Sequence, residues 1–360
     1  MYIGSNLILM KNNWSVEMPF GGKDWLDLTI EETLEPDLPI CDPHHHFWDH
    51  RLERIPYQEY LLPELVEDIS SGHNVTSTVF IEARSMYREN APDNMKPIGE
   101  VEFVQGLAAA SASGVYGNSR AAAAIVGHAN LNMGGAVREV LEALQEASPN
   151  RFRGIRHSVT WDPHPEIENT ALHKIESQML SKDFQDGAKV LADMGLTFEA
   201  WMYSHQLDEL IDLARNVPNL KIILNHVGGL VLDGPYESQR DEVMENWRSK
   251  IKTLAECSNV VVKLGGIGMP RTGFDWHRRD KPIGSEELAR QMAPLLSYCI
   301  EQFGPERGMF ESNFPVDKVS YSYNVLYNAF KIFSKDYSET ERALMFRENA
   351  LEIYNVDESL

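Results

Sequence analysis

Short apolar segments alternate with amphipathic segments along most of the chain. The apolar segments have the length and composition of buried strands, and they comprise residues 40–41, 77–83, 121–129, 152–157, 196–201, 221–226, 260–264 and 308–313. Between them, apolar residues recur at helical spacing in 137–147, 186–194, 206–215 and 285–303. Eight strands alternating with helices predict an α/β fold, a single parallel (β/α)8 TIM barrel, in preference to an open sheet.

The two ends of the chain lie outside this alternation. Residues 1–37 mix aromatic, glycine and acidic residues, so we expect an N-terminal arm on the outside of a barrel that spans 38–360. Residues 338–341, Ser-Glu-Thr-Glu, form a capping box that predicts the start of a C-terminal helix through Tyr354. No internal repeat or low-complexity linker divides the chain, which indicates one domain.

Polar residues occur at the ends of many of the predicted strands. They are His44 and His46, Glu82 and Arg84, Arg156 and His157, Glu199, His226 and Asn313. Any one of them could be a buried group with a local partner. Because barrel active sites are built from the C-terminal ends of the strands, their recurrence predicts a functional site there.

The segment 42–49, Asp-Pro-His-His-His-Phe-Trp-Asp, carries the densest set of candidate ligands. Side chains alternate along a strand, so His44 and His46 share one face with Asp42, and His45 faces the other way. Two imidazoles on one face at a strand end can hold a divalent metal. The alternative is a polar loop with chance histidines, which would be preferred for a lone histidine.

Composition and charge limit the partners. The chain has 360 residues, 43% hydrophobic, with a net charge of −21, which argues against nucleic acid and anionic membranes as partners. An anionic substrate would need a locally basic pocket. The three cysteines show no CxxC spacing, which indicates reduced thiols and a cytoplasmic protein. No signal peptide is recognisable, and no apolar run approaches the roughly 18–20 residues of a membrane span.

Three segments occur in an order that resembles a known family. They are 42–49, the Asn-His-Val-Gly-Gly of 225–229 and the Ser-Asn-Phe-Pro-Val-Asp of 312–317. Over residues 38–355 they resemble the amidohydrolase-related enzymes of the fuconolactonase and dicarboxylate-lactonase type. The resemblance implies a (β/α)8 barrel that hydrolyses a sugar lactone or a related cyclic ester. Some relatives use a divalent metal, commonly zinc, others use none, and more distant relatives decarboxylate aromatic or unsaturated acids.

One position departs from the family pattern. The resemblance implies Ser-Asp-x-Pro at the last strand, with the Asp as metal ligand or general base, but Asn313 stands there. A neutral amide accepts no proton and is a weaker zinc ligand than a carboxylate. Asp317, four residues later, is the candidate replacement.

The predicted metal ligands are His44, His46 and Glu199, with zinc as the expected ion. Glu199 lies inside an apolar run, where a carboxylate must be metal-bound or paired, so an ion pair with Arg156 is the alternative. His226 is the expected catalytic imidazole, assisted by Asn313 and Asp317. The alternative for His226 is a hydrogen bond to the backbone of the nearby glycines.

The expected partner is a small-molecule substrate, with a carboxylate as one option; a homo-oligomer stays open. Arg156 is the residue expected to bind a substrate carboxylate through two parallel hydrogen bonds from its guanidinium. The segment 269–282 is too long and too rich in aromatic and basic residues for a simple connection, and predicts a substrate loop or an interaction surface. The predicted substrate-binding residues are Glu82, Arg84, Arg156, His157, Trp201, Arg271 and Lys318.

The leading functional hypothesis is metal-assisted hydrolysis of a lactone or similar cyclic ester. The alternatives within catalysis are a metal-dependent decarboxylase and a metal-free lactonase, both favoured by Asn313. A catalytically inactive ligand-binding barrel is the alternative outside catalysis. The charged residues of the predicted pocket speak against it, because an inactive site has no reason to bear the desolvation cost of buried charge.

Overall fold

A computed structural model describes residues 22–49 and 57–359 of the chain. Eight parallel strands follow one another in sequence order: β1 Pro39–His45, β2 Asn74–Ile81, β3 Arg120–Gly127, β4 Phe152–Arg156, β5 Thr197–Ala200, β6 Ile222–Leu224, β7 Val260–Gly265 and β8 Gly308–Glu311. The residues after β8 return to β1, where the amide of Asn313 donates to the carbonyl of His44 at 2.9 Å and that of His46 to Phe314 at 2.8 Å. The predicted single (β/α)8 barrel is confirmed.

Helices surround the strands. The longer ones are Leu62–Ile69, Ile98–Ala112, Val137–Ala147, Lys182–Asp193, Leu207–Asn216, Arg240–Ala255, Ser285–Phe303 and Tyr323–Phe333. Two predicted helices, 137–147 and 285–303, have the predicted bounds. The helix predicted at 186–194 begins earlier, because the Ser181 hydroxyl accepts the amide of Phe184 at 3.2 Å and caps it.

The strands bury side chains on both faces. Their outward residues pack under the helices in a large apolar core, and their inward residues fill the barrel with a smaller one. The inner core comprises Cys41, Val79, Ile81, Ala124, Val126, Ile223, Val261 and Met309 together with Ala350 and Tyr354. The interior of the barrel is therefore apolar toward the N-terminal ends of the strands, and the inward polar residues lie toward their C-terminal ends.

The C-terminal helix closes the lower end of the barrel. Ser338 and Glu341 form the predicted capping box, with the Ser338 amide donating to the Glu341 carboxylate at 2.8 Å. Helical segments follow at Glu339–Ala343, at Leu344–Glu348 as a π-helical turn and at Asn349–Ile353. The helix carries Tyr354 into the inner core, which gives it a role beyond packing on the outside.

The described part of the N-terminal arm, residues 22–38, lies against the outside of the barrel. After a short helix at Lys23–Leu26, the Trp25 indole donates to the carbonyl of Arg279 at 3.0 Å. The Glu31 carboxylate accepts the amide of Ser285 at 2.8 Å. The rest of the predicted arm, residues 1–21, lies outside the described residues. Across 22–49 and 57–359, every helix is too short or too polar to cross a bilayer.

Candidate active site

Three buried side chains converge at the C-terminal ends of the strands. His44 belongs to β1, His226 follows β6, and Glu311 ends β8. One oxygen of Glu311, Oε1, lies 2.7 Å from Nδ1 of His226, and the other, Oε2, lies 2.7 Å from Nδ1 of His44. One ligand atom from each of the three residues falls within 4.8 Å of the others. These are the donor types, two imidazoles and a carboxylate, that zinc takes in catalytic sites.

A run of left-handed backbone places His226. Its φ is +53°, and Val227 follows with a φ of +48°, both in a region that β-branched and bulky residues rarely adopt. Across from it, directly after β7, Gly266 has a φ of +64°, and a Cβ there would lie 1.8 Å from Nδ1 of His226. The imidazole therefore occupies space that only a glycine at position 266 leaves open.

Two buried cations flank His44. A terminal nitrogen of the Arg156 guanidinium, Nη1, is 3.3 Å from its Nε2, and Nζ of Lys263 is 3.2 Å from its Nδ1. Its amide donates to the carboxylate of Asp42 at 3.2 Å. The ring is thus fixed from both sides and from the backbone. A neutral imidazole offers a single lone pair, so a metal on His44 would replace one of these two cation contacts.

Burial decides the protonation of the cluster. It raises the pKa of Glu311 to about 8, although Lys263 partly opposes the shift. Burial lowers the pKa of His226 to about 3 and that of His44 well below its usual range. At neutral pH both imidazoles are therefore neutral, the form in which a histidine binds a metal.

The buried charges around the cluster are unbalanced. The carboxyl groups number five and the cations two, and they are Asp42, Glu82, Glu199, Glu311, Asp317, Arg156 and Lys263. Among the described residues, Oε2 of Glu311 is fully buried and accepts no hydrogen bond, although Nδ1 of His44 lies 2.7 Å from it. Buried carboxylates without compensation are costly, and either protons or a cation can supply it. The residues present therefore fit a divalent metal held by His44, His226 and Glu311.

Two of the predicted metal ligands, His46 and Glu199, lie outside this group of three. The ring of His46 stacks edge-on against His44 with centroids 4.9 Å apart, as the shared strand face predicts. Its Nδ1–H donates to the carbonyl of Ile81 at 2.8 Å, a contact of the kind that orients a metal-binding histidine. Glu199 forms an ion pair with Lys263 at 2.9 Å and also accepts hydrogen bonds from Asn225 and Tyr354. The ion-pair alternative for Glu199 thus has Lys263 as its partner instead of Arg156.

Asn313 and Asp317 form a pair. Asn313 has a φ of +55°, and its side-chain amide donates to Oδ1 of Asp317 at 2.8 Å. The other oxygen accepts the amide of Gly268 at 2.7 Å and the Tyr321 hydroxyl at 2.8 Å. Burial raises the pKa of Asp317 to about 6, and its interaction with His226 opposes the rise. Asp317, the candidate replacement for the carboxylate of the family pattern, is therefore in direct contact with Asn313.

Three predicted substrate-binding residues lie close to the cluster. Nε of Arg156 donates to Glu82 at 2.8 Å, so this carboxylate already occupies one edge of the guanidinium. Burial opposes ionisation of Glu82, but the charge and hydrogen bond of Arg156, together with the charges of His128 and Arg84, outweigh it and lower the carboxyl pKa. The indole of Trp201 packs edge-on against His226 with ring centroids 4.9 Å apart.

The other four predicted substrate-binding residues differ in position. Arg271 contacts Trp201 and is half-buried. Arg84 is exposed at the rim with a φ of +58°. His157 points away from the cluster, since its Nδ1 accepts the amide of Leu131 at 3.2 Å. Lys318 forms an ion pair with Asp68 at 2.7 Å, which commits its charge elsewhere.

The sequence analysis missed Lys263 and Glu311. Both continue the inward face of their strands, two positions after the inner-core residues Val261 and Met309. The signal was a charge inside an apolar run, the same signal that singled out Glu199. A charged side chain in such a run must have a buried partner. The partner of Lys263 is Glu199, and the partners of Glu311 are His44 and His226.

Comparison with known proteins finds relatives over most of the chain. The chain is 31% identical over 332 residues to the protein named "uncharacterized protein y4mH" of Sinorhizobium fredii, an alignment that covers 89% of this chain and 99% of that protein. It is 23% identical to L-fucono-1,5-lactonase of Burkholderia multivorans over 88% of this chain and 96% of that enzyme. It is 25% identical to L-rhamnono-gamma-lactonase of Scheffersomyces stipitis over 65% and 69% of the two chains.

Solved structures share the fold. An amidohydrolase from Burkholderia multivorans with bound zinc superposes with a TM-score of 0.68 at 22% identity, covering 88% of this chain and 99% of the other. A putative 2-pyrone-4,6-dicarboxylic acid hydrolase from Pseudomonas putida superposes with a TM-score of 0.60 at 15% identity, covering 89% and 98%. The amidohydrolase family model matches residues 41–356, which contain the barrel except the first two residues of β1 and include His44, His226 and Glu311. The resemblance inferred from the three sequence segments is confirmed: the chain belongs to the amidohydrolase family.

Proposed function

We propose that this protein hydrolyses a lactone or a closely related cyclic ester, assisted by a zinc ion that His44, His226 and Glu311 hold. The observation that carries the proposal is the convergence of these three buried side chains, with atom separations of 2.7 Å and an excess of buried carboxyl groups. The names of two relatives, a fuconolactonase and a rhamnonolactonase, support the substrate class. The zinc in the Burkholderia multivorans structure supports the choice of metal.

When bound, a divalent ion at this position supplies Lewis-acid polarisation of an ester carbonyl. The reaction itself adds water to the ring carbonyl carbon and breaks the ring C–O bond, which gives an open-chain hydroxy acid. The chain must therefore accept one proton from water and return one to the leaving ring oxygen.

Asp317 is the proposed proton carrier. Its carboxyl pKa, raised to about 6, lies close enough to neutrality for both directions of transfer. The amide of Asn313 and the amide of Gly268 each donate to one of its oxygens, so its orientation is fixed. Asn313 is thus a positioning residue in this proposal, and the proton passes to the carboxylate beside it.

Arg156 and Trp201 shape the site around His44 and His226. Arg156 is held by Glu82 on one edge and directs Nη1 toward His44. Trp201 packs edge-on against the His226 ring and limits its movement on that side. Arg156 is therefore proposed to orient His44, because Glu82 leaves it no complete edge for a bidentate substrate contact.

The test combines metal analysis with an activity screen on lactones. We expect about one zinc per chain in protein purified with supplemented metal, and loss of lactone hydrolysis on chelation that zinc restores. Glu311→Gln should lower zinc affinity by about 100-fold or more, because it removes a charged ligand. Glu287→Gln, a surface substitution in an ion pair with Arg279, is the matched control and should retain affinity.

Each alternative hypothesis has its own outcome. Hydrolysis that survives complete metal removal would replace the proposal with a metal-free lactonase. Release of CO2 from aromatic or unsaturated acids, without lactone hydrolysis, would replace it with a decarboxylase. A protein that binds lactones but turns over neither class would be an inactive ligand-binding barrel.

A further inference from the structure

Arg271 lies on an aromatic surface beside the site. It belongs to the segment 269–282 after β7, and its guanidinium carbon lies 5.9 Å from the centre of the Trp201 ring and 5.7 Å from that of Tyr203. One of its terminal nitrogens, Nη1, donates to the Tyr203 hydroxyl at 2.6 Å. Trp201 in turn contacts His226. A single indole ring therefore separates the guanidinium from the candidate metal ligands.

Within residues 22–49 and 57–359, the charge of Arg271 has no protein counter-ion. In the part of the chain that the structure describes, no carboxylate forms an ion pair with it, whereas Arg156 pairs with Glu82, Lys263 with Glu199 and Lys318 with Asp68. The chain as a whole has a net charge of −21, so acidic partners are abundant. A half-buried arginine that stays unpaired in such a protein, at the edge of an active site, is available for a ligand.

We propose that Arg271 binds a carboxylate of the substrate, and hence that the substrate is a lactone that carries a carboxylate group. This inference rests on the proposed lactonase function. Tyr203 occupies only Nη1, so the edge formed by Nε and Nη2 remains for two parallel hydrogen bonds to a planar carboxylate. A phosphate dianion would call for a second cation, and the other cations near the cluster are engaged by Glu82 and Glu199. The geometry thus assigns to Arg271 the substrate contact that the sequence suggested for Arg156.

The test compares two matched lactones: an aldonic acid lactone, which is neutral, and an aldaric acid lactone, which differs by a terminal carboxylate. For the wild type, kcat/KM should favour the carboxylate-bearing lactone. Arg271→Gln should lower that preference by about 10- to 100-fold, mainly through KM, because one charge-assisted contact is lost. Arg271→Lys keeps the charge without the planar fork and should give an intermediate preference.

Arg278→Gln serves as the matched control, since Arg278 lies in the same segment but is exposed and pairs with Asp275 at 3.3 Å. It should leave the preference unchanged. Binding of the open-chain diacid product, measured by calorimetry, gives a second readout, and Arg271→Gln should weaken it by a similar factor.

Equal losses for both lactones in Arg271→Gln would overturn the inference and make Arg271 a contact for neutral oxygens. The same loss in Arg278→Gln would also overturn it, because the effect would then be general electrostatic attraction. A protein that hydrolyses neither lactone and does not bind zinc contradicts the proposed function instead, while the diacid titration still tests Arg271 by itself.

Discussion

At the scale of single residues, the protonation of each buried carboxyl group depends on its nearest partner. Glu82 faces the guanidinium of Arg156 and its pKa is lowered. Glu100 is equally buried but faces Glu82 and the amides of Ala83 and Ser85, and burial followed by the charge of Glu82 raises its pKa from 4.5 to about 8. Three groups of one type within one barrel thus divide into charged and neutral forms, with Glu311 on the neutral side.

Glu100 predicts a measurable pH dependence of stability. Its folded-state pKa is raised, so between pH 4.5 and about 8 the folded protein holds a proton that the unfolded chain has released. The contribution of this group to the free energy of unfolding is complete below pH 4.5 and falls as the pH rises through that window. Glu100→Gln removes this loss. The free energy of unfolding of the variant relative to the wild type should therefore increase by about 1 kcal/mol per pH unit from pH 5 to 8.

Urea unfolding at several pH values measures this difference. Glu102→Gln provides the control on the same helix, because Glu102 is exposed and its difference from the wild type should stay nearly constant. If the difference in free energy of unfolding between Glu100→Gln and the wild type does not change with pH, Glu100 is ionised in the folded protein. The division of the carboxyl groups into charged and neutral forms would then need revision.

At the scale of elements, the position of His226 depends on close packing between the segments that follow β6 and β7. The chain directly after β7 passes so close to the segment after β6 that the backbone at Gly266 is adjacent to the ring of His226. The positive φ values at His226 and Gly266 show that both segments are bent away from strand geometry to bring them together. The position of His226 therefore depends on two elements that are 40 residues apart in sequence.

Gly266→Ala should displace His226 and abolish tight metal binding. A Cβ at this position would lie 1.8 Å from Nδ1 of His226, and the φ of +64° adds backbone strain. Gly195→Ala is a matched control, since Gly195 has a φ of +68° with nothing within 4 Å of its Cβ. Both variants should lose about 1 kcal/mol of stability from strain.

Only Gly266→Ala should also lower the affinity for zinc or cobalt, by about 100-fold or more, because one of three ligands is misplaced. Competition titration with a chromophoric chelator measures the affinity, and thermal unfolding measures the strain. Equal metal affinities in the two alanine variants would mean that His226 can move without loss, and would remove it from the ligand set.

At the scale of the whole molecule, a chain of polar contacts crosses the barrel from its lower end to the site. The Tyr354 hydroxyl, carried by the C-terminal helix, donates to Glu199. Glu199 pairs with Lys263, and Lys263 contacts His44. The ammonium of Lys263 would oppose a cation beside His44, so Glu199 balances its charge, and Tyr354 helps to hold Glu199 in place.

Tyr354→Phe should weaken zinc binding by about 10-fold, the lower end of what second-layer contacts contribute. The ring still fills the inner core, so the barrel should stay closed. Tyr298→Phe is the control, because it also loses one phenol hydrogen bond, to the carbonyl of Arg248, but on the outside of the barrel. Equal zinc affinities of the two variants, at equal melting temperatures, would reduce the C-terminal helix to a packing role.

The sequence by itself determined the barrel and the rim at which its site lies. Strand and helix patterns are local, with periods of two and 3.6 residues, and β1, the 285–303 helix and the capping box at Ser338 could all be predicted from short windows. His44 could be predicted in the same way, because a strand end and a neighbouring histidine lie within the window.

Only the tertiary structure decided which of the polar residues at that rim meet. Glu311 reaches both His44 and His226 because β8 closes onto β1, and Lys263, not Arg156, neutralises Glu199 because their side chains cross the barrel interior from β5 and β7. Lys318 likewise forms its ion pair with Asp68, a residue that is distant in sequence and is brought near it by the fold. Which charged residues of a barrel form ion pairs depends on the twist of the strands and on how far each side chain extends across the interior. Both depend on contacts between residues that are distant in sequence.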